Sequence, residues 1–287
     1  MNEFVIHCKS YLPDIKRVRR LHESILHYNT DSIPFYLSVP KSDMRKFKEE
    51  LSSENIILVS DDDILSMNKL HTKLIGGSFD GGIIQQVIKS EFWRLGKCND
   101  YLVIDSDSYF IKEFFIKDFY YNEDNPLTIM HNGNELLQFA ARKKRKVINY
   151  FRGDREASKG QLGRTGIVYD FGPTPCIWSK KVWLSLEGNY LSENKTSFFD
   201  LIQACPNEML IYGESLLKYK AIDLWPREPI FKCFHYQEQY EEFLLLNDNI
   251  DNLKNVFMGV VMQSNWDEEY DLYKRKKRTW KSLWLKH

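Results

Sequence analysis

Three observations predict an α/β protein with a mostly parallel central sheet flanked by helices. The first 110 residues alternate between short apolar runs with strand character and longer segments whose apolar residues recur at helical spacing. A β-α-β-α-β order of this kind needs crossover connections, which make the sheet parallel and lay helices on its faces. A four-residue apolar strand, Tyr101 to Ile104, then ends in Asp105-Ser106-Asp107, and open α/β sheets bind ligands beyond the carboxyl ends of their strands.

The elements follow in order. Phe4 to Ile6 reads as a buried strand. From Asp14 to Tyr28, Ile15, Val18, Leu21 and Ile25 fall on one helical stripe, with Lys16, Arg17, Arg19 and Arg20 on the other side. Pro34 to Val39 is strand-like, Ser42 and Asp43 open a helix to Leu51, and Ile56 to Val59 returns as a strand. Asp61-Asp62-Asp63 then starts a helix, where N-capping and the helix dipole favour acidic residues. After the glycine pairs Gly76/Gly77 and Gly81/Gly82, a helix through Ile84, Val87, Ile88 and Leu95 leads to the Tyr101 strand. Beyond it come a polar helix from Glu135 to Phe151, a glycine-rich polar stretch from Arg152 to Gly166, and further helices and strands to Pro229. Val256 to Met262 is a buried strand or a core helix.

With 287 residues, 43% of them hydrophobic, the chain carries enough apolar material for one large core, which excludes global disorder. Forty Lys and Arg balance forty Asp and Glu, so the broad positive field of non-specific nucleic-acid binders is missing and no nucleic-acid partner is expected. The five cysteines are scattered, odd in number and free of CxxC spacing, which fits a reducing compartment. The apolar stretch before Lys9 is too short for a signal-peptide core, and no run approaches the ~20 residues of a membrane span. The expected location is the cytoplasm, with at most peripheral attachment at the cytoplasmic face of the inner membrane.

The chemistry concentrates at the aspartates. Carboxylates at i and i+2 after a strand point to one side and can share a hard cation with a diphosphate. Mn²⁺ or Mg²⁺ suits such oxygen ligands because it keeps water and phosphate oxygens in its remaining positions. Four and three residues before Lys89, Gln85 and Gln86 share an edge with it, while Ile84, Val87 and Ile88 pack inward.

In these residues the sequence resembles the GT-A fold glycosyltransferases, and more narrowly small bacterial surface-polysaccharide (O-antigen or capsule) enzymes. The matching features are Gln85, Gln86 and Lys89 in GGIIQQVIKSEFW, the strand ending in Asp105-Ser106-Asp107, and NEMLIYGESL around Glu208 and Tyr212-Gly213. The likeness spans Phe4 to His235. It implies a Rossmann-like nucleotide-binding sheet with an elaborated acceptor half: residues 1–110 for the nucleotide sugar, 111–265 for acceptor binding and catalysis, and 266–287 as a basic amphipathic tail. The implied activity moves a sugar, with UDP-hexose as the leading donor, from a nucleoside diphosphate to a saccharide or polyprenyl-linked saccharide acceptor.

An inverting transfer needs a base for the acceptor hydroxyl, and Glu208 and Glu214 are the candidates, with Pro206-Asn207 giving Glu208 a helix start. The expected metal ligands are Asp105, Asp107 and His235. The expected donor contacts are Asp105, Ser106, Gln85, Gln86, Lys89, Asp61 and Arg164, the last in a stretch basic enough to close over a diphosphate.

Lys274 to His287 holds seven Lys or Arg and no acid, and on a helix Tyr273, Trp280, Leu283 and Trp284 form one stripe suited to an anionic membrane surface. Two rival classes stand beside the transferase. In haloacid-dehalogenase-type phosphatases the DxDx motif sits on the first strand and is followed by Thr or Val, whereas here Tyr109 follows and the motif lies beyond residue 100. A non-catalytic sugar-nucleotide-binding protein is the other.

Overall fold

The computed structural model describes residues 4–51 and 55–266. The chain opens with β1 (Phe4–Lys9), α1 (Ile15–Tyr28), β2 (Phe35–Val39), α2 (Met44–Glu50), β3 (Ile56–Ser60) and α3 (Asp61–Ser66). It continues through α4 (Gly81–Glu91), β4 (Asp100–Asp105), β5 (Ser108–Phe110) and three short strands, β6 (Tyr120–Asn122), β7 (Asn125–Pro126) and β8 (Thr128–Ile129). The later half comprises α5 (Asn134–Lys143), α6 (Arg145–Gln161), β9 (Cys176–Ser179), α7 (Lys180–Leu186), α8 (Phe198–Ala204) and α9 (Glu208–Tyr219). After it come β10 (Pro226–Arg227), β11 (Phe231–Phe234), α10 (Gln237–Leu245), α11 (Ile250–Leu253) and β12 (Gly259–Met262).

The fold is mixed α/β, with a mainly parallel central sheet flanked by helices. Its strand order is β3-β2-β1-β4-β9, the first four parallel and β9 antiparallel to β4. Strand alternation divides the core between the two faces. Phe4, Ile6, Cys8, Leu102 and Ile104 point to the side covered by α1 and α2, where Val18, Leu21, Ile25 and Phe47 pack on them. Val5, Tyr101 and Val103 point to the other side, under α4, α7, α8 and α9. A second sheet, β11-β12-β5, continues from β4 with its own apolar cluster around Phe234 and Val260.

Because the chain winds outward from β1 to β3 and then crosses back to β4, the β1–β4 boundary is the point where strand order reverses. In such sheets this crevice is the binding position.

Several local expectations change. The glycine-rich polar stretch from Arg152 is helical to Gln161, and the polar helix expected from Glu135 to Phe151 is two helices that break at Lys144. Gly153 and Gly160 are carried in α6 because Phe151, Arg155 and Ser158 are buried one turn apart and anchor it. Helix α4 stops at Glu91, gives way to a 3-10 turn and ends at Gly96, whose φ of +66° is the left-handed conformation of a terminating glycine. The cap of α3 is Ser60, whose hydroxyl accepts from Asp62 N, with Asp61 already inside the helix. Of Val256 to Met262, only Gly259–Met262 forms a strand, β12, with Val260 and Val261 fully buried, while Val256 is an exposed turn residue. Residues Lys274 to His287 lie outside the described residues.

Candidate functional site

At the carboxyl end of β4, Lys89 joins two carboxylates brought from distant parts of the chain. Its Nζ lies 2.5 Å from Asp105 Oδ1 and 3.2 Å from Glu208 Oε1. Three elements converge to make this contact. Asp80 caps α4 by accepting from Gly82 N, and the buried face of that helix carries Lys89 inward along with Val87 and Ile88. Strand β4 delivers Asp105 at its last position, and Asn207 caps α9 by accepting from Leu210 N, which sets Glu208 in the first turn.

Lys89 and Glu208 are buried, whereas the Asp105 side chain is 34% exposed and the most accessible of the three. Thr174 fixes its other oxygen by donating from Oγ1 to Oδ2 at 2.6 Å. Burial works to raise the Asp105 carboxyl, but the Lys89 ammonium and the Thr174 hydroxyl outweigh it and hold the carboxyl below its ordinary range. Burial likewise opposes charge on Lys89, and Asp105 with Glu208 holds its pKa above the usual lysine value.

Asp107 is held differently. Its Oδ2 accepts from Ser264 N at 2.9 Å, while Oδ1 is buried with no hydrogen-bond partner. Burial, and next the neighbouring Asp105, push its carboxyl up to about 7. Ser106 between the two aspartates is buried. A buried carboxylate oxygen with no partner is what a site kept for a cation displays. Among the described residues, however, no group of three or more His, Cys, Asp or Glu converges to hold a metal ion. A divalent cation held at these two aspartates would take most of its shell from substrate phosphates and water.

His235 follows β11, in register with Gln263 beyond β12 and two strands from the Asp107 segment, so it sits on the same rim. The charged groups around it are Asp170, Lys232, His131 and Arg155, and burial pushes its ring down to about 4.

The other expected residues fall in three places. Asp61 lies at the end of the edge strand β3, its Oδ2 2.8 Å from Nζ of Lys9 at the end of β1 and its Oδ1 buried and unpaired. Burial raises its carboxyl to about 6, against the pull of Lys9. Gln86 donates back to Gly82 O at 3.0 Å and keeps a buried Oε1 without a partner, and Gln85 is exposed one position earlier. Arg164 and Glu214 are not brought to this cluster. They pair with each other through two contacts, one of them Nη2 to Oε1 at 2.9 Å, and Arg164 also donates to Thr165 O and Ile167 O. Glu214 is fully buried six residues along α9, on a different face from Glu208.

Sequence reasoning missed Thr174 and Asp170. Asp170 accepts from Arg155 Nη2 at 2.6 Å and from Gly172 N at 3.2 Å, while His131 Nε2 donates to Gly172 O. These bonds shape the segment whose Thr174 reaches Asp105. The Gly172-Pro173-Thr174-Pro175 run was the available signal, since two prolines in four residues mark a rigid, individually shaped turn.

Fold and site together define an α/β protein whose acidic, lysine-bridged cluster occupies the crevice at the strand-order reversal. The chain belongs to the family described as DUF6492, a family of unknown function, whose model matches residues 4–287. No curated protein matches the sequence. Among solved structures the chain is similar to apo mouse xyloside xylosyltransferase 1, at 6% identity and a TM-score of 0.47, with 92% of this chain and 98% of that chain covered.

Proposed function

We propose that this protein is a GT-A-type glycosyltransferase that moves a sugar from a nucleoside diphosphate to a saccharide acceptor. The observation that carries the reading is the Asp105–Lys89–Glu208 cluster at the crevice, with the unpaired Asp107 Oδ1 beside it. Unpaired buried oxygens of Asp61 and Gln86 extend the polar lining along the donor side.

In this reading Asp105 and Asp107 would hold Mn²⁺ or Mg²⁺, which supplies charge neutralisation for the departing diphosphate when bound. Lys89 keeps Asp105 ionised and pairs with Glu208 in a buried setting. Glu208 accepts the proton of the acceptor hydroxyl, giving inversion at the transferred carbon. Ser106, Gln85 and Gln86 contact the donor, and Asp61 with Lys9 meets its nucleoside end. UDP-hexose is the proposed donor, and a lipid-linked saccharide in surface-polysaccharide synthesis the proposed acceptor.

The test is a donor panel read by release of free nucleoside diphosphate, with and without Mn²⁺ or Mg²⁺. Release from one donor with an acceptor present supports the reading, and no release from any donor removes it. Glu208→Gln should lower turnover by at least ~10²-fold with donor binding little changed. Loss of donor binding instead would reassign Glu208 to holding Lys89.

A further inference from the structure

A cleft of about 690 Å³ opens at the amino ends of the parallel strands, the end of the sheet opposite Asp105. The two ends of β4 mark the separation: Asp100 lies near the cleft and Asp105 at the acidic site, about 17 Å apart along an extended strand. The volume lies within the range of preformed small-ligand sites.

The cleft floor is apolar, with Phe4 at the start of β1 and Ile33 and Pro34 leading into β2. Its wall is the β6–β7 hairpin, fixed by Tyr120 OH donating to Asp100 Oδ2 at 2.9 Å. Tyr121 on this wall is 56% exposed and stacks on Trp225 with ring centroids 3.5 Å apart and planes 7° apart. One face of the tyrosine is therefore covered by the indole, and the half-exposed ring lines the cleft. At the rim, Asp31 uses Oδ2 to accept from Ile116 N, leaving Oδ1 unpaired, and Glu123 has no partner among the described residues.

We propose that this cleft binds a saccharide chain, with a pyranose face on Tyr121 and sugar hydroxyls donating to Asp31 and Glu123. A pyranose presents C–H groups on its face and hydroxyls around its edge. The negative face of an aromatic ring attracts the former, and carboxylates accept strongly from the latter. The charged lining discriminates against an apolar occupant. A hydrocarbon tail would desolvate Asp31, Glu123 and Lys117, which also lines the cleft, without compensation. A neutral, polyhydroxylated chain escapes that penalty, since its hydroxyls donate to the carboxylates and accept from the ammonium. The proposal goes beyond the transfer reaction and does not depend on it, because binding here is measured without turnover.

The experiment titrates the full chain with maltohexaose, cellohexaose and chitohexaose, followed by calorimetry and saturation-transfer NMR. At least one should saturate at millimolar concentration or below. Tyr121→Ala should then weaken binding about tenfold or more, ~1.4 kcal/mol, with the thermal midpoint unchanged, while Tyr121→Phe stays within about twofold of the parent. Tyr150→Ala, at an exposed tyrosine outside the cleft, should bind like the parent. Failure of all three oligosaccharides to bind, full affinity in Tyr121→Ala, or an equal loss in Tyr150→Ala would each overturn the proposal. None of these outcomes bears on sugar-nucleotide turnover, so the two readings fail separately.

Discussion

Lys89 is the residue on which the acidic site balances. It is buried between carboxylates that lie 16 residues away on β4 and 119 residues away on α9. Removing one partner of a buried ion pair leaves an uncompensated charge, typically a loss of 3–5 kcal/mol. Here the loss would leave Asp105 and Glu208 facing each other with no cation between them. Lys89→Met should therefore lower unfolding free energy by about 3–5 kcal/mol in a denaturant titration near neutral pH. Adding Glu208→Gln to Lys89→Met should recover part of the loss, since one of the stranded charges is then gone. A Lys89→Met variant within about 1 kcal/mol of the parent would mean that solvent, not Lys89, neutralises the pair.

At the scale of elements, α9 touches the 170–175 segment so closely that a side chain is excluded at Gly213. A Cβ built there would sit about 2.0 Å from the Phe171 ring, and Phe171 is itself buried. Gly213→Ala gains helix propensity but must displace that ring, and overpacking of this kind costs about 1–3 kcal/mol. The expected result is a lower melting temperature despite the better helix former, together with weakened function through Thr174, whose segment would shift. An unchanged or raised melting temperature would show that Phe171 yields freely.

Helical and strand periods made the first half legible: β1, α1, β2, α2, β3 and β4 fall within a few residues of where apolar spacing puts them. The same logic put Asp105 and Asp107 at a strand end and Glu208 at a helix start. It did not reveal that α6 runs through Gly153 and Gly160, because the packing of Phe151 and Arg155 that sustains the helix is tertiary. Nor did it show that Arg164 is committed to Glu214 or that Thr174 reaches Asp105. Those pairings span 50 and 69 residues and carry no local pattern.

For the whole molecule, the two ends of the parallel sheet present different chemistries, with unpaired oxygens and a lysine-bridged acid cluster at one and an aromatic cleft at the other. Among the described residues no helix is long and apolar enough to cross a membrane. The basic, tryptophan-bearing stretch Lys274 to His287 is the proposed contact with the membrane of a lipid-linked acceptor. Each basic residue near an anionic surface contributes roughly 1 kcal/mol, and the tryptophans suit the headgroup region. Deleting residues 274–287 should reduce sedimentation with anionic vesicles and lower activity on a lipid-linked acceptor more than on a soluble analogue. High salt should reproduce the loss in the parent, because screening shortens the range of the attraction. A segment that serves packing instead would give the opposite pattern, a clear drop in melting temperature with vesicle binding unchanged.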